Sequence, residues 1–122
     1  HFMCGMARGG DLYFAEAVIA LREKYPEITL EGVRPCENQA DSWPEGEKAR
    51  YWSILDRCDY ETLVQHSYDR YCMMRRNRYM VDRSARLIAL YNGEPRGGTA
   101  QTLAYALRKK LETHILDPEE FS

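Results

Sequence analysis

The stretch Arg86-Leu87-Ile88-Ala89-Leu90-Tyr91-Asn92-Gly93 runs on through Pro95 to Gly97-Gly98-Thr99. It reads as a strand, a flexible turn and the start of a helix. A near-continuous apolar run suits a parallel strand covered on both faces. Gly97 and Gly98 let backbone approach a ligand, and Thr99 is expected to cap the next helix. A helix N-terminus has unpaired N–H groups and the positive end of the dipole, so it favours phosphate or another anion. A plain βα turn fits the same residues.

Working outward, the same arrangement opens the chain. Phe2-Met3-Cys4 is a short apolar strand leading into Gly5-Met6-Ala7-Arg8-Gly9-Gly10-Asp11. Asp11 has the chemistry of an N-cap. Phe14, Val18, Leu21 and Tyr25 then follow at helical spacing until Pro26 stops the helix. Residues 28–33 alternate and read as a strand nearer an edge. They end in the polar loop Arg34-Pro35-Cys36-Glu37-Asn38-Gln39, at the strand end where open α/β sheets bind ligands. Cys36 lacks a nearby His in sequence and reads as a structural thiol. Ser42-Trp43-Pro44-Glu45 has the form of a capping box ahead of a helix reaching about Cys58.

Residues 60–64 form a weaker strand, followed by His66, which reads as solvated or locally hydrogen-bonded. Residues 71–83 predict a helix on which Met73, Asn77 and Met80 share an apolar face with Arg76. An Arg there must snorkel, pair internally or meet an anion, because a buried unpaired charge is costly. A further helix over residues 100–110 carries Leu103, Ala106, Leu107 and Lys110 at helical spacing, and Thr113-His114-Ile115-Leu116 closes the pattern as a strand. The tail Glu119-Glu120-Phe121-Ser122 is expected to be loose. The order β-α-β-α-β-α-β-α-β implies an α/β, Rossmann-like three-layer fold with a mostly parallel sheet.

Composition bounds the rest. At 122 residues the chain is expected to form a single domain with a real core. The net charge of -2 gives no general attraction to nucleic acid or anionic membrane, and no apolar run has membrane-span length. Cys4, Cys36, Cys58 and Cys72 form no CxxC pair. That argues against a metal site and for free thiols in a reducing cytoplasm.

The residues 5–11 loop, Pro35-Cys36-Glu37-Asn38-Gln39, the run Cys72-Met73-Met74-Arg75-Arg76-Asn77-Arg78-Tyr79-Met80-Val81-Asp82 and Gly97-Gly98-Thr99 together resemble YpsA-like proteins, in the same order. These belong to the SLOG superfamily, with the DNA-processing protein DprA and the lonely guy phosphoribohydrolases. The resemblance covers essentially the whole chain. It implies a Rossmann-like sheet that binds nucleotides or nucleotide-derived ligands such as AMP, ADP-ribose or NAD. It also implies a strand ahead of this chain, so the sequence reads as N-terminally truncated within a single SLOG domain, with a sheet edge for a partner chain to cover. A homodimer is a further expectation from relatives.

The ligand site expected from the resemblance comprises Gly5, Met6, Ala7, Gly9, Gly10, Asp11, Gln39, Arg76, Asn77, Gly97, Gly98 and Thr99. The glycine loops would cradle phosphates through backbone N–H groups. Arg76 would pair with an anion, and Asn77 and Gln39 would supply amide hydrogen bonds. Met73-Met74-Arg75-Arg76-Asn77 is similar to the phosphoribohydrolases' Met-x-x-Arg-Lys run, placing Arg76 at their catalytic Arg and Asn77 where Lys is usual. Their loop is followed by a Glu pair, where this chain has Ala100-Gln101-Thr102. Cleaving an N-glycosidic bond needs a carboxylate. A binding or sensing domain is therefore favoured over a nucleotide-processing enzyme, in which Glu37 or Asp11 would have to replace the missing acid. A DprA-like nucleic-acid module is the third class. The acidic balance argues against it, despite the local stretch Arg75, Arg76, Arg78 and Arg83.

Overall fold

Among the described residues strands and helices alternate, and the strand pairings are parallel, giving an α/β Rossmann-like fold. The computed structural model describes residues 1–93 and 97–121. The turn containing Pro95 and the last tail residue, Ser122, lie outside the described residues. The chain divides into two compact units, His1–Cys72 and Met73–Ser122. Among the described residues, no helix is long and apolar enough to cross a membrane.

In the first unit, β1 (Phe2–Cys4), β2 (Leu30–Arg34) and β3 (Tyr60–Leu63) form a sheet in the order β1-β2-β3. Helix α1 (Gly10–Lys24) joins β1 to β2, and α2 (Glu45–Asp56) joins β2 to β3. The core gathers Leu12, Ala15, Val18 and Ile19 of α1, Leu30 of β2, and Tyr51, Ile54 and Leu55 of α2. Phe2 and Phe14 pack edge to face beside it.

Strand β2 is central rather than near an edge, and all five of its residues are buried. The alternating pattern was misleading because Glu31 looks like a solvent-facing residue. Its carboxylate instead accepts hydrogen bonds from His1 Nε2 at 2.9 Å and Thr62 Oγ1 at 2.7 Å. Gly32 is required by close approach: a Cβ there would lie 2.9 Å from Leu55 Cδ2 and 3.3 Å from Cys58 Sγ. Gly32→Ala is expected to cost about 1 kcal/mol, because the flexible end of Leu55 can shift at moderate expense. Urea unfolding would measure it.

Asp59 ties the entry of β3 to β2. Its Oδ2 accepts the Leu30 N–H at 2.8 Å and Arg22 Nη1 at 2.6 Å, while its own N–H donates to Leu30 O at 2.9 Å. The Leu30 amide, then Arg22, hold its carboxyl below the usual range. A carboxyl with a depressed folded pKa stabilises fully above its unfolded value and loses that contribution as pH falls through the folded one. Asp59→Asn is therefore expected to flatten the fall in stability below about pH 4, measured by urea unfolding at a series of pH values.

In the second unit, β4 (Arg86–Leu90) and β5 (Glu112–Leu116) form a two-stranded parallel sheet. Helix α4 (Gly98–Arg108) connects them and packs on both. Its Leu103 and Ala106 are buried, as is Ala89 of β4. The expectation of a β4 covered on both faces is corrected: Ile88 and Leu90 are 48% and 42% exposed. Helix α3 (Cys72–Asp82) precedes this sheet. Its buried residues are Cys72, Arg76 and Val81, while Met73 is exposed, so the inward stripe is offset from the expected one. The tail is not loose throughout, since Pro118–Phe121 forms a 3-10 helix.

Both local capping expectations also change. Helix α1 begins at Gly10 after Gly9, and α4 begins at Gly98 after Gly97, with φ of 82° and 99° at the two preceding glycines. These left-handed corners favour glycine. Asp11 and Thr99 consequently sit inside the first turns rather than ahead of them. The Ser42 capping box does not form either: α2 starts at Glu45 behind Pro44 without a side-chain cap bond.

Candidate functional site

The second unit carries a cavity of about 290 Å³ at the carboxyl end of β4. It is lined by Leu90, Tyr91 and Asn92, by Gly97, Gly98 and Thr99 at the start of α4, and by Pro118. Strand ends and helix starts meet there because each βα corner puts them at the same edge. The first amides of a helix have no intrahelical carbonyl to bond. Gly97 brings no side chain to cap them, and no side-chain cap bond is made. The opening of α4 thus combines N–H groups that lack intrahelical carbonyls, a positive dipole end and room for a small group.

Arg76 of α3 is 5% exposed. Its Nε donates to Asn77 Oδ1 at 2.7 Å, and Nη2 approaches Met73 Sδ at 3.7 Å. Asn77 Nδ2 donates in turn to Thr102 Oγ1 at 2.8 Å, and that hydroxyl donates to Gly98 O at 2.8 Å. One hydrogen-bond chain therefore runs from a buried guanidinium to the first residue of α4. The Gly98 carbonyl belongs to the same peptide unit as the Thr99 N–H. Hydrogen bonding to one end of a peptide strengthens the donor at the other. Thr102 went unnoticed as a site residue because its role depends on α4 starting at Gly98, which places it one turn further on.

The loop at residues 5–11 belongs to the first unit and is held at several points. Asp11 Oδ2 accepts the Ala7 N–H at 3.1 Å, and Cys4 Sγ donates to Asp11 O at 3.0 Å. Met6 is fully buried with φ 62°, a conformation rare outside glycine. Gly5 is buried, Ala7 and Gly10 are half-buried, and Gly9 is exposed. Gln39 is 8% exposed and donates through Nε2 to Gly5 O at 3.2 Å.

Behind Gln39 stands a buried polar network. Tyr51 OH donates to Gln39 Oε1 at 3.1 Å and accepts from Arg34 Nε at 2.8 Å. The other guanidinium nitrogens of Arg34 donate to Glu61 Oε1 at 2.7 Å and Glu37 O at 2.8 Å. Burial pushes the Tyr51 phenol up despite the neighbouring guanidinium, so it stays protonated and remains a donor. In the sequence Arg34 reads only as part of a polar loop, and nothing there marks Tyr51 as its partner. Their polar ends could not be assigned before the fold brought them together.

The cysteines are all free. Cys36 is fully buried, and desolvation, then the Cys72 thiol, push its pKa up. Burial pushes Cys58 up to about 11. Thiols held in this protonated state are poor nucleophiles.

Residues 1–121 match the family model described as the YspA SLOG family. The chain belongs to the YpsA SLOG family. Among its relatives, a UPF0398 protein of Bacillus velezensis is 33% identical over 107 residues, covering 86% of this chain and 58% of that protein. The UPF0398 protein YpsA of Bacillus subtilis is 30% identical over 104 residues, covering 84% of this chain and 58% of its own length. A UPF0398 protein of Halalkalibacterium halodurans is 28% identical over 113 residues, covering 91% and 60%. The chain thus spans about three fifths of the length of these family members. The two glycine loops, the helix with Arg76 and the loop with Gln39 all lie inside the family match.

Proposed function

We propose that this protein binds a nucleotide or nucleotide-derived ligand and works as a cytoplasmic binding or sensing domain. The observation that carries the reading is the cavity at the opening of α4, where Gly97, Gly98 and Thr99 meet the carboxyl end of β4. A phosphate there would accept backbone N–H bonds from the first turn of α4, favoured by the helix dipole. The buried cation of Arg76 reaches Gly98 through Asn77 and Thr102, which supports an anion rather than a neutral group. In the first unit, the loop at residues 5–11 is a second glycine-bearing corner before a helix, braced by Asp11 and Gln39. Sensing is favoured over turnover because Ala100-Gln101-Thr102 follows the glycine loop, with no carboxylate in that turn.

The test is a thermal-shift panel with AMP, ADP-ribose, NAD and single-stranded DNA, followed by an assay for released base. Stabilisation by a nucleotide without base release is the expected result. Release of free base would replace sensing with glycosidic hydrolysis. Stabilisation by DNA alone, lost in salt, would replace both with a nucleic-acid role.

A further inference from the structure

We propose that Glu37 and His66 form a water-activating dyad at the carboxyl ends of β2 and β3, suited to a neutral acyl ester. The inference stands apart from the nucleotide reading and uses residues of the first unit only. His66 Nδ1 lies 2.9 Å from Glu37 Oε1. A carboxylate accepts from the ring, so in the neutral imidazole this contact places the proton on Nδ1 and leaves the lone pair on Nε2. That is the arrangement in which a carboxylate orients an imidazole as a general base.

The pair is more than two long side chains meeting at a surface. Strands β2 and β3 stay joined beyond their ends: the Val64 N–H donates to Arg34 O at 2.9 Å, and the Glu37 N–H donates to His66 O at 3.1 Å. Arg34 Nη2 then donates to Glu37 O at 2.8 Å. The backbone under both side chains is therefore fixed before they pair, which lowers the ordering cost that usually cancels a surface ion pair. The ring itself is exposed, so Nε2 can reach a substrate.

The chain's other two histidines are held differently. His1 uses both ring nitrogens, on Thr29 Oγ1 and Glu31 Oε1, and His114 meets Glu112 through Nε2 at 3.3 Å. The ester specificity follows from charge. The carboxylate beside the ring is Glu37, and the charge of the neighbouring Arg34 is matched by Glu61. An anionic electrophile would meet Glu37 unfavourably, whereas a neutral carbonyl would not.

In the step, a water oxygen bonds to the acyl carbon while Nε2 takes one of that water's protons. The carbon–oxygen bond to the alcohol then breaks with its electron pair on the alcohol oxygen, and Nε2 returns the proton to it. Acid and alcohol are the products, and Glu37 stabilises the transient imidazolium.

The experiment is hydrolysis of p-nitrophenyl acetate by the full chain, with nitrogen-15 NMR of the histidine rings. The unaltered protein should show His66 protonated on Nδ1. His66→Gln should lower the enzyme-dependent rate by about a hundredfold, the low end of what a positioned base supplies. Glu37→Ala should move the ring proton toward Nε2 and lower the rate with the imidazole still present. His114→Gln should leave the rate unchanged. The proposal is overturned by a rate that survives His66→Gln, by an Nε2-protonated ring in the unaltered protein, or by a Glu37→Ala protein with unchanged rate. Both sites are exposed, so a folding defect does not stand between the variants and the readout.

Discussion

Tyr51→Phe should lower the unfolding free energy by about 3 kcal/mol, although it removes a single oxygen atom. The Tyr51 hydroxyl joins Arg34 Nε to Gln39 Oε1. Both partners are nine-tenths buried, and neither reaches water easily once the hydroxyl is gone. Leaving a buried donor or acceptor unmatched costs about 1–3 kcal/mol each, and more where one is charged. The ring would stay in place, because Trp43 and Trp52 pack edge to face on it at 5.3 and 5.2 Å. A cavity cost is therefore absent, and the measured loss reports the polar network itself. A second readout separates this from general weakening. Gln39 holds Gly5 O, so amide exchange in the loop at residues 5–11 should accelerate more than exchange in α1. Urea unfolding with hydrogen exchange would measure both, and a loss under 1 kcal/mol would show that the network contributes little.

That network illustrates how far the sequence could be read. The elements were legible because apolar spacing and the Gly and Pro punctuation acted over short ranges, where one residue's neighbours decide its state. Hence β1, α1, β3 and α4 fall close to where the pattern puts them. What misled was chemistry settled at a distance. Glu31 looks solvent-facing until His1 and Thr62 fold onto it, and so β2 looked peripheral. Leu90 and Ile88 look doubly buried, yet both stay substantially exposed in a sheet on which α4 packs. Asp11 and Thr99 satisfy a capping pattern, but with Gly9 and Gly97 at positive φ in the cap position each helix starts two residues earlier. At the candidate site, the inward Arg76 followed from helical spacing and from the cost of misplacing a charge. Thr102 did not, because a hydroxyl in mid-helix carries no signal until its partners are known.

Arg76→Met is expected to weaken nucleotide binding by about tenfold to a hundredfold, the range of a hydrogen bond made by a charged group. Methionine keeps much of the apolar stem, so packing around α3 changes less than with alanine. The loss should be seen as a smaller thermal shift with ADP-ribose and confirmed by calorimetric titration. The companion variant is Thr102→Val, which keeps the branched shape and removes the hydroxyl. If the cation acts on the ligand through Asn77, Thr102 and the Gly98–Thr99 peptide, Thr102→Val should lose affinity in the same direction, and Thr102→Ser should recover it. The Thr99 amide proton should also shift upfield in Thr102→Val without ligand, since its peptide loses one hydrogen bond at the carbonyl. A full loss in Arg76→Met with none in Thr102→Val would instead assign the guanidinium to direct contact with the anion. Full affinity in both would remove Arg76 from the site and leave α4's opening amides as the anchor within the second unit. The discriminating power lies in the hydroxyl: one oxygen atom joins the buried charge to the glycine corner, and replacing it tests the connection without moving either end.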